Sequence, residues 1–172
     1  LKRLAETGTG VAHCPISNMK LSSGIARIPE MLKLGVRVGL AVDGSASNDG
    51  SDLLEELRTG FLLHRLNSSS AAPTGYDMLK IATRGSASIL GRDDIGQIAE
   101  GMAADFFLIN MDRLSLTGAQ FDVSSMLGTV GYKGNVDYTV VNGRVVVREG
   151  RLTGVDEEKI TAEANQCLSR YL

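Results

Sequence analysis

The chain has 172 residues, with 18 basic and 20 acidic side chains and a formal charge of −2. That balance, with no run of basic residues, excludes electrostatic docking on nucleic acid or an anionic membrane, both of which need a basic excess. No apolar stretch reaches the roughly 18 residues of a bilayer span. The first residues show no signal-peptide pattern. Cys14 and Cys167 are too far apart to suggest a disulfide framework or a CxxC metal knuckle, so a reducing, cytoplasmic setting is expected. The length suits one domain, or one and part of another.

Leu1 to Gly8 reads as the end of an amphipathic helix stopped by glycine. Gly10 to His13 follows as a short strand, and Cys14 to Asn18 as a loop. Apolar residues at 25, 28, 31, 32 and 34 give helical spacing over Ile25–Leu34, with Pro29 near the start, where its missing N–H does little harm. Gly35 closes that helix, and Val36–Val42 is the next strand. Such a β-loop-α-β unit belongs in a parallel sheet.

The strand ends in Asp43-Gly44, followed by small polar residues. A carboxylate at the C-terminal end of a buried parallel strand stands where α/β barrels place catalytic groups. Asp-Gly by itself reads equally as a turn. A second helix follows, with Leu53, Leu54, Leu57, Phe61 and Leu62 as its apolar stripe and Asp49 and Asp52 near the positive end of its dipole. His64 is expected on the outer surface of that helix. Asn67 to Pro73 is a surface connection. A third helix spans about Tyr76–Leu90, with Thr74 and Asp77 spaced as a capping box and Gly91 as the stop.

Beyond Gly91 the texture becomes β-rich. Asp105–Ile109 is a compact apolar strand, and Tyr138–Val141 and Arg144–Val147 flank Asn142-Gly143, a strong hairpin signal. The stretch between Asp112 and Asn135 lacks pattern and reads as loop. Asp156–Leu172 closes the chain as a helix, with Ile160, Ala164, Cys167, Leu168 and Tyr171 on one side.

The blocks Val11–Leu21 (VAHCPISNMKL), Gly35–Asn48 (GVRVGLAVDGSASN) and Gly96–Asp105 (GQIAEGMAAD) together resemble consecutive blocks of the amidohydrolase superfamily. The similarity is to its cytosine/guanine deaminase and triazine hydrolase branch. The second block and Ala82–Gly96 are most similar in wording to 8-oxoguanine deaminases. The resemblance implies an α/β fold: the last βα units of a metal-dependent-hydrolase TIM barrel over residues 1–91, then a β-sandwich portion with a C-terminal helix over residues 92–172.

It also implies chemistry. Asp43 occupies the place of the aspartate that binds the catalytic divalent metal, usually Zn2+ with Fe2+ as the alternative, and that shuttles a proton. The expected reaction is hydrolytic deamination of a purine-like heterocycle, 8-oxoguanine or a relative, with release of ammonia. Two other readings stand: a triazine-type chloro- or aminohydrolase, and a non-catalytic α/β binding module.

His13 falls on the seventh-strand block and is expected behind the metal ligands rather than on the ion. Ser47 and Asn48 follow Asp43 in the same loop, where they either contact substrate and orient the aspartate, or satisfy loop backbone and cap the next helix. Asn18 and Met19 are candidates to line the same barrel mouth. Cys14 is expected to fill space, since no histidine is arranged to activate it. Asp105 reads as structural.

With two histidines and no HxH pair, the chain by itself lacks most ligands of such a site. It is therefore expected to be the C-terminal portion of a longer enzyme, with the N-terminal half as its partner, open sheet edges where that half would dock, a small heterocycle as substrate, and a possible homo-oligomer.

Overall fold

The computed structural model describes residues 1–171. Val11–His13 (β1) and Val38–Leu40 (β2) pair in parallel, Val11 opposite Val38 and His13 opposite Leu40. All three residues of β2 are buried, as in a parallel strand covered on both faces. Around them stand Lys2–Glu6 (α1), Pro15–Lys20 (α2), Ile28–Lys33 (α3), Leu53–Ser68 (α4), Gly75–Lys80 (α5) and Ser86–Ile89 (α6). One wide π-type turn, Ile81–Gly85, joins α5 to α6, so the helix expected over 76–90 is continuous but locally unwound. Thr74 and Asp77 form the expected capping box, each side chain accepting the other's backbone N–H.

Several expectations are corrected. Cys14–Asn18 is not a loop: Pro15 opens α2, its fixed φ suiting a first helical turn. The helix expected from Ile25 begins at Ile28, after Gly24 takes a left-handed conformation at φ +90°. On α4 the buried face is Glu56, Leu57, Gly60, Phe61 and His64. Leu53 and Leu62 of the predicted stripe are 39% and 49% exposed, and His64, expected on the surface, is fully buried. Residues 112–135 are not featureless either. They hold two 3-10 turns and the short helix Met126–Thr129 (α7), with Leu116, Met126 and Leu127 buried. The guanidinium of Arg58 on α4 donates to the Gly128 and Thr129 carbonyls at the end of α7. Those carbonyls have no partner inside the helix, so a cation there is doubly favourable.

The outer edge of β2 is covered. Ser86 Oγ accepts from Leu40 N–H and lies within donating distance of Leu40 O, both at 3.1 Å. Gly85 makes this approach possible, because a Cβ there would collide with the Val38 carbonyl oxygen. Gly85→Ala is expected to cost about 1–3 kcal/mol despite the better helix propensity of alanine, read as a lower urea midpoint.

The chain forms two compact units: residues 1–102 with 111–133, and residues 103–110 with 134–172. The stretch 111–133 thus packs with the βα elements rather than with the β-rich part. The second unit is a four-stranded antiparallel sheet in the order Phe106–Leu108 (β3), Tyr138–Val141 (β4), Arg144–Arg148 (β5), Arg151–Leu152 (β6). Asn142-Gly143 joins β4 to β5 with φ of +46° and +76°, the double left-handed step of a type I′ turn. Asp105 accepts the Asn142 N–H at 2.6 Å and so anchors that turn. Glu157–Leu168 (α8) starts on the Asp156 cap, and its side with Ile160 and Leu168 is exposed. No helix of the described residues is long and apolar enough to cross a membrane.

Candidate active site

At the C-terminal ends of the two strands, helix α2, which follows β1, meets the loop that follows β2. Asp43, three residues past β2, has a left-handed backbone at φ +66°. A non-glycine residue holds such a conformation at a cost of about 1–2 kcal/mol, so its surroundings must compel it. Its carboxylate is exposed and bonded through both oxygens: Oδ2 accepts from Ser17 Oγ at 2.6 Å, and Oδ1 from Gly44 N–H at 2.7 Å. The Ser17 hydroxyl, then the Gly44 amide, hold this carboxyl below the usual carboxylate range, so it stands ionised at neutral pH. Ser17 is presented by α2, which starts directly after β1.

Behind this pair lies a buried polar knot. Asn48 Nδ2 donates to Val42 O at 2.9 Å and to Glu56 Oε1 at 2.6 Å, while its Oδ1 accepts from Gly50 N–H at 3.1 Å. Glu56, fully buried on α4, accepts from Ile16 N–H through Oε2 at 3.0 Å. Burial raises its carboxyl pKa, the two donated hydrogen bonds opposing that shift.

His13 and His64 make a second buried pair, with Nε2 atoms 3.0 Å apart and rings tilted by 44°. The contact requires opposite tautomers, one Nε2 donating and the other accepting. Neither Nδ1 has a partner. Burial, then the charge of His64, lowers the pKa of His13 to about 4; burial lowers that of His64. Gly60 lets α4 come this close, since a Cβ there would lie 2.8 Å from Met78 Cε and 3.4 Å from Pro15 Cγ.

The predicted site residues therefore part company. Asn48 turns inward and braces the loop instead of facing its mouth, and Asp52, not Ser47 or Asn48, caps α4. Ser47 is half-buried in the turn, its N–H bonded to Gly44 O. Met19 is exposed beside Asn18 on α2, but the α2 side chain that reaches Asp43 is Ser17. His13 faces His64. Cys14 stays a thiol, its pKa raised by burial and by the charges of Asp43 and Glu56. Asp49 in the loop after β2 pairs with Lys20 at the end of α2 at 2.7 Å, an exposed contact of small energetic weight. Sequence reasoning missed Ser17 and Glu56. Glu56 had a signal: with Gly60 and His64 it makes an i, i+4, i+8 line along one helix face.

As a metal ligand set the chain is incomplete. Asp43 retains lone pairs beyond its two hydrogen bonds and can serve as one ligand. The two histidines engage each other, and among the described residues no group of three His, Cys, Asp or Glu side chains converges. The residues fit one corner of a metal centre.

A parallel βα arrangement with a carboxylate at the C-terminal ends of its strands places that group where α/β barrel folds carry their functional residues. The sequence narrows this to a family: residues 1–146 match the amidohydrolase family model, and the chain belongs to that family. It is 44% identical to hydroxydechloroatrazine ethylaminohydrolase of Pseudomonas sp. strain ADP and 42% identical to 8-oxoguanine deaminase of Pseudomonas aeruginosa, in each case over its whole length. It covers 36% and 38% of those relatives, so it spans a little over a third of their length. Among solved structures, atrazine chlorohydrolase from Arthrobacter aurescens TC1 complexed with zinc superposes with a TM-score of 0.90 at 35% identity, over 96% of this chain and 37% of that one. An adenosine deaminase from Xanthomonas campestris with bound zinc gives 0.87 at 31% identity, over 96% and 38%.

Proposed function

We propose that this chain is the C-terminal portion of a metal-dependent aminohydrolase and contributes the aspartate of its reaction centre. The substrate we assign is an aminated purine-like heterocycle, 8-oxoguanine or a close relative, hydrolysed with release of ammonia. The observation that carries this reading is the exposed, ionised Asp43 carboxylate, held by Ser17 and Gly44 in a left-handed turn at the mouth of the parallel pair.

Asp43 would be the metal ligand supplied by this chain, the others coming from the preceding part of the enzyme. A zinc ion, when bound, supplies Lewis acidity that brings the pKa of water toward neutrality. Asp43 accepts the proton of the water whose oxygen adds to the amine-bearing ring carbon. It returns that proton to the amine nitrogen; the C–N bond breaks, ammonia leaves, and the ring keeps the oxygen as a carbonyl. The Ser17 bond fixes one carboxylate oxygen through both transfers, limiting the motion needed between them.

A triazine reading is the runner-up, favoured by the 44% identity to a triazine aminohydrolase. There the same addition would expel an alkylamine. The full-length enzyme should be assayed on aminated purines and on alkylamino-triazines for amine release. Turnover of the purines at least tenfold above the triazines supports the first reading; the reverse order replaces it with the second.

The ligand count makes a separate prediction. The 172-residue chain alone, dialysed against excess zinc and desalted, should retain far less than one ion per chain by elemental analysis. Stoichiometric zinc with turnover would overturn the fragment reading.

A further inference from the structure

We propose that Glu56 is the positioning residue that sets the Asp43–Ser17 pair, by holding the backbone of the residue before each of them, Ile16 directly and Val42 through Asn48. One carboxylate oxygen takes the N–H of Ile16, the residue preceding Ser17. The other takes Asn48 Nδ2, whose second hydrogen goes to the Val42 carbonyl, part of the peptide bond that leads into Asp43. A fully buried side chain on α4 thus reaches one residue short of each partner in the 2.6 Å Ser17–Asp43 hydrogen bond.

The residue types suit this work. Both Glu56 oxygens accept, from Ile16 N–H and from Asn48, and with the Val42 carbonyl and Gly50 N–H they leave one orientation for the Asn48 amide: nitrogen toward Glu56 and Val42 O, oxygen toward Gly50 N–H. That orientation pins the Val42–Asp43 peptide plane and explains how Asp43 keeps its left-handed backbone. A glutamine at 56 keeps only one of these two acceptors: turned one way its NH2 meets Ile16 N–H, turned the other it meets Asn48 NH2, and a flipped Asn48 would then meet both Gly50 N–H and Val42 O with the wrong group. A helix and a loop that arise from separate strands need a common anchor if the Ser17–Asp43 distance is to hold. Their exposed contact, Lys20 with Asp49, is too weak to supply it.

The inference rests on the role assigned to Asp43 above, and its test separates the two. In the full-length, zinc-loaded enzyme, Glu56→Gln should lower kcat by about 10- to 100-fold while KM changes less than about threefold, at wild-type zinc content and with the folded fraction measured in parallel. Combined with Ser17→Ala, the loss should fall well short of the product of the single losses, because both act on one geometry. Asn48→Ala breaks the Asp43 arm, with the Gly50 N–H bond, while leaving the Ile16 arm, and serves if Glu56→Gln fails to fold; it should likewise lower kcat and spare KM. A raised KM with unchanged kcat in Asn48→Ala makes that residue a substrate contact and overturns the proposal. So does a Glu56→Gln loss that merely tracks zinc content or folded fraction, or a wild-type kcat. Asp43→Asn is the control: turnover there defeats the functional reading itself, whereas an inert Asp43→Asn beside an unimpaired Glu56→Gln defeats the positioning role alone.

Discussion

Asp43→Asn in the full-length enzyme is expected to lower kcat by about 10³-fold or more, because it removes a proton acceptor and a charged ligand at once. General-base catalysis alone accounts for about 10²–10⁴ in rate, and a neutral amide oxygen is a poorer metal donor than a carboxylate. Stability should barely change. The side chain is exposed, the substitution conserves volume, and an amide oxygen can still accept from Gly44 N–H or Ser17 Oγ. Thermal unfolding within a few degrees of wild type, with turnover lost, is the expected pair of results. Turnover within tenfold of wild type would remove Asp43 from the reaction.

The buried histidine pair predicts a fall in stability below neutral pH. In the unfolded chain both imidazoles titrate near pH 6.5; in the folded chain burial depresses both, that of His13 to about 4. The unfolded state therefore binds more protons between those values, so stability is fully present above about pH 6.5 and is lost as pH falls toward 4. The His13 shift alone corresponds to a loss on the order of 3 kcal/mol. Glu56, raised by burial, works in the opposite sense and reduces the net fall. The exposed carboxylates with lowered pKa, such as Asp43 and Asp94, lose their contribution only below the range of an ordinary carboxyl. Urea midpoints at pH 7.5, 6 and 5 should decline in that order, and NMR of the ring protons should show His13 charging near pH 4 and His64 charging below the ordinary imidazole range. An imidazole that titrates near 6.5 in the folded chain would refute the buried-pair account.

Local patterning accounted for much of the fold. The apolar runs around Val11 and Val38, the Thr74–Asp77 box and the Asn142-Gly143 turn all announce their structures through short-range chemistry, and all three appear. The misread pieces depend on what lies opposite. Leucines at 53 and 62 are as apolar as Leu57, yet only contacts from α2, α5 and α7 decide which face of α4 is buried. The turns of 112–135 have no period to read, because they are held by partners such as Arg58 more than 60 residues away in the chain.

The site divides in the same manner. Sequence by itself identified the family, the strand that delivers Asp43 and the loop that follows it, since these rest on contiguous blocks whose spacing is preserved along the chain. Tertiary structure alone decided that Ser17 is the side chain on Asp43, that Asn48 braces rather than faces the mouth, that His64 is buried against His13, and that Glu56 bonds to both Ile16 and Asn48. Each of those contacts joins groups on different elements through a few ångströms of space. Which hydroxyl, amide or carboxylate is near enough to bond depends on how closely α4 approaches the parallel pair, and a helix-spacing rule carries no information about that distance.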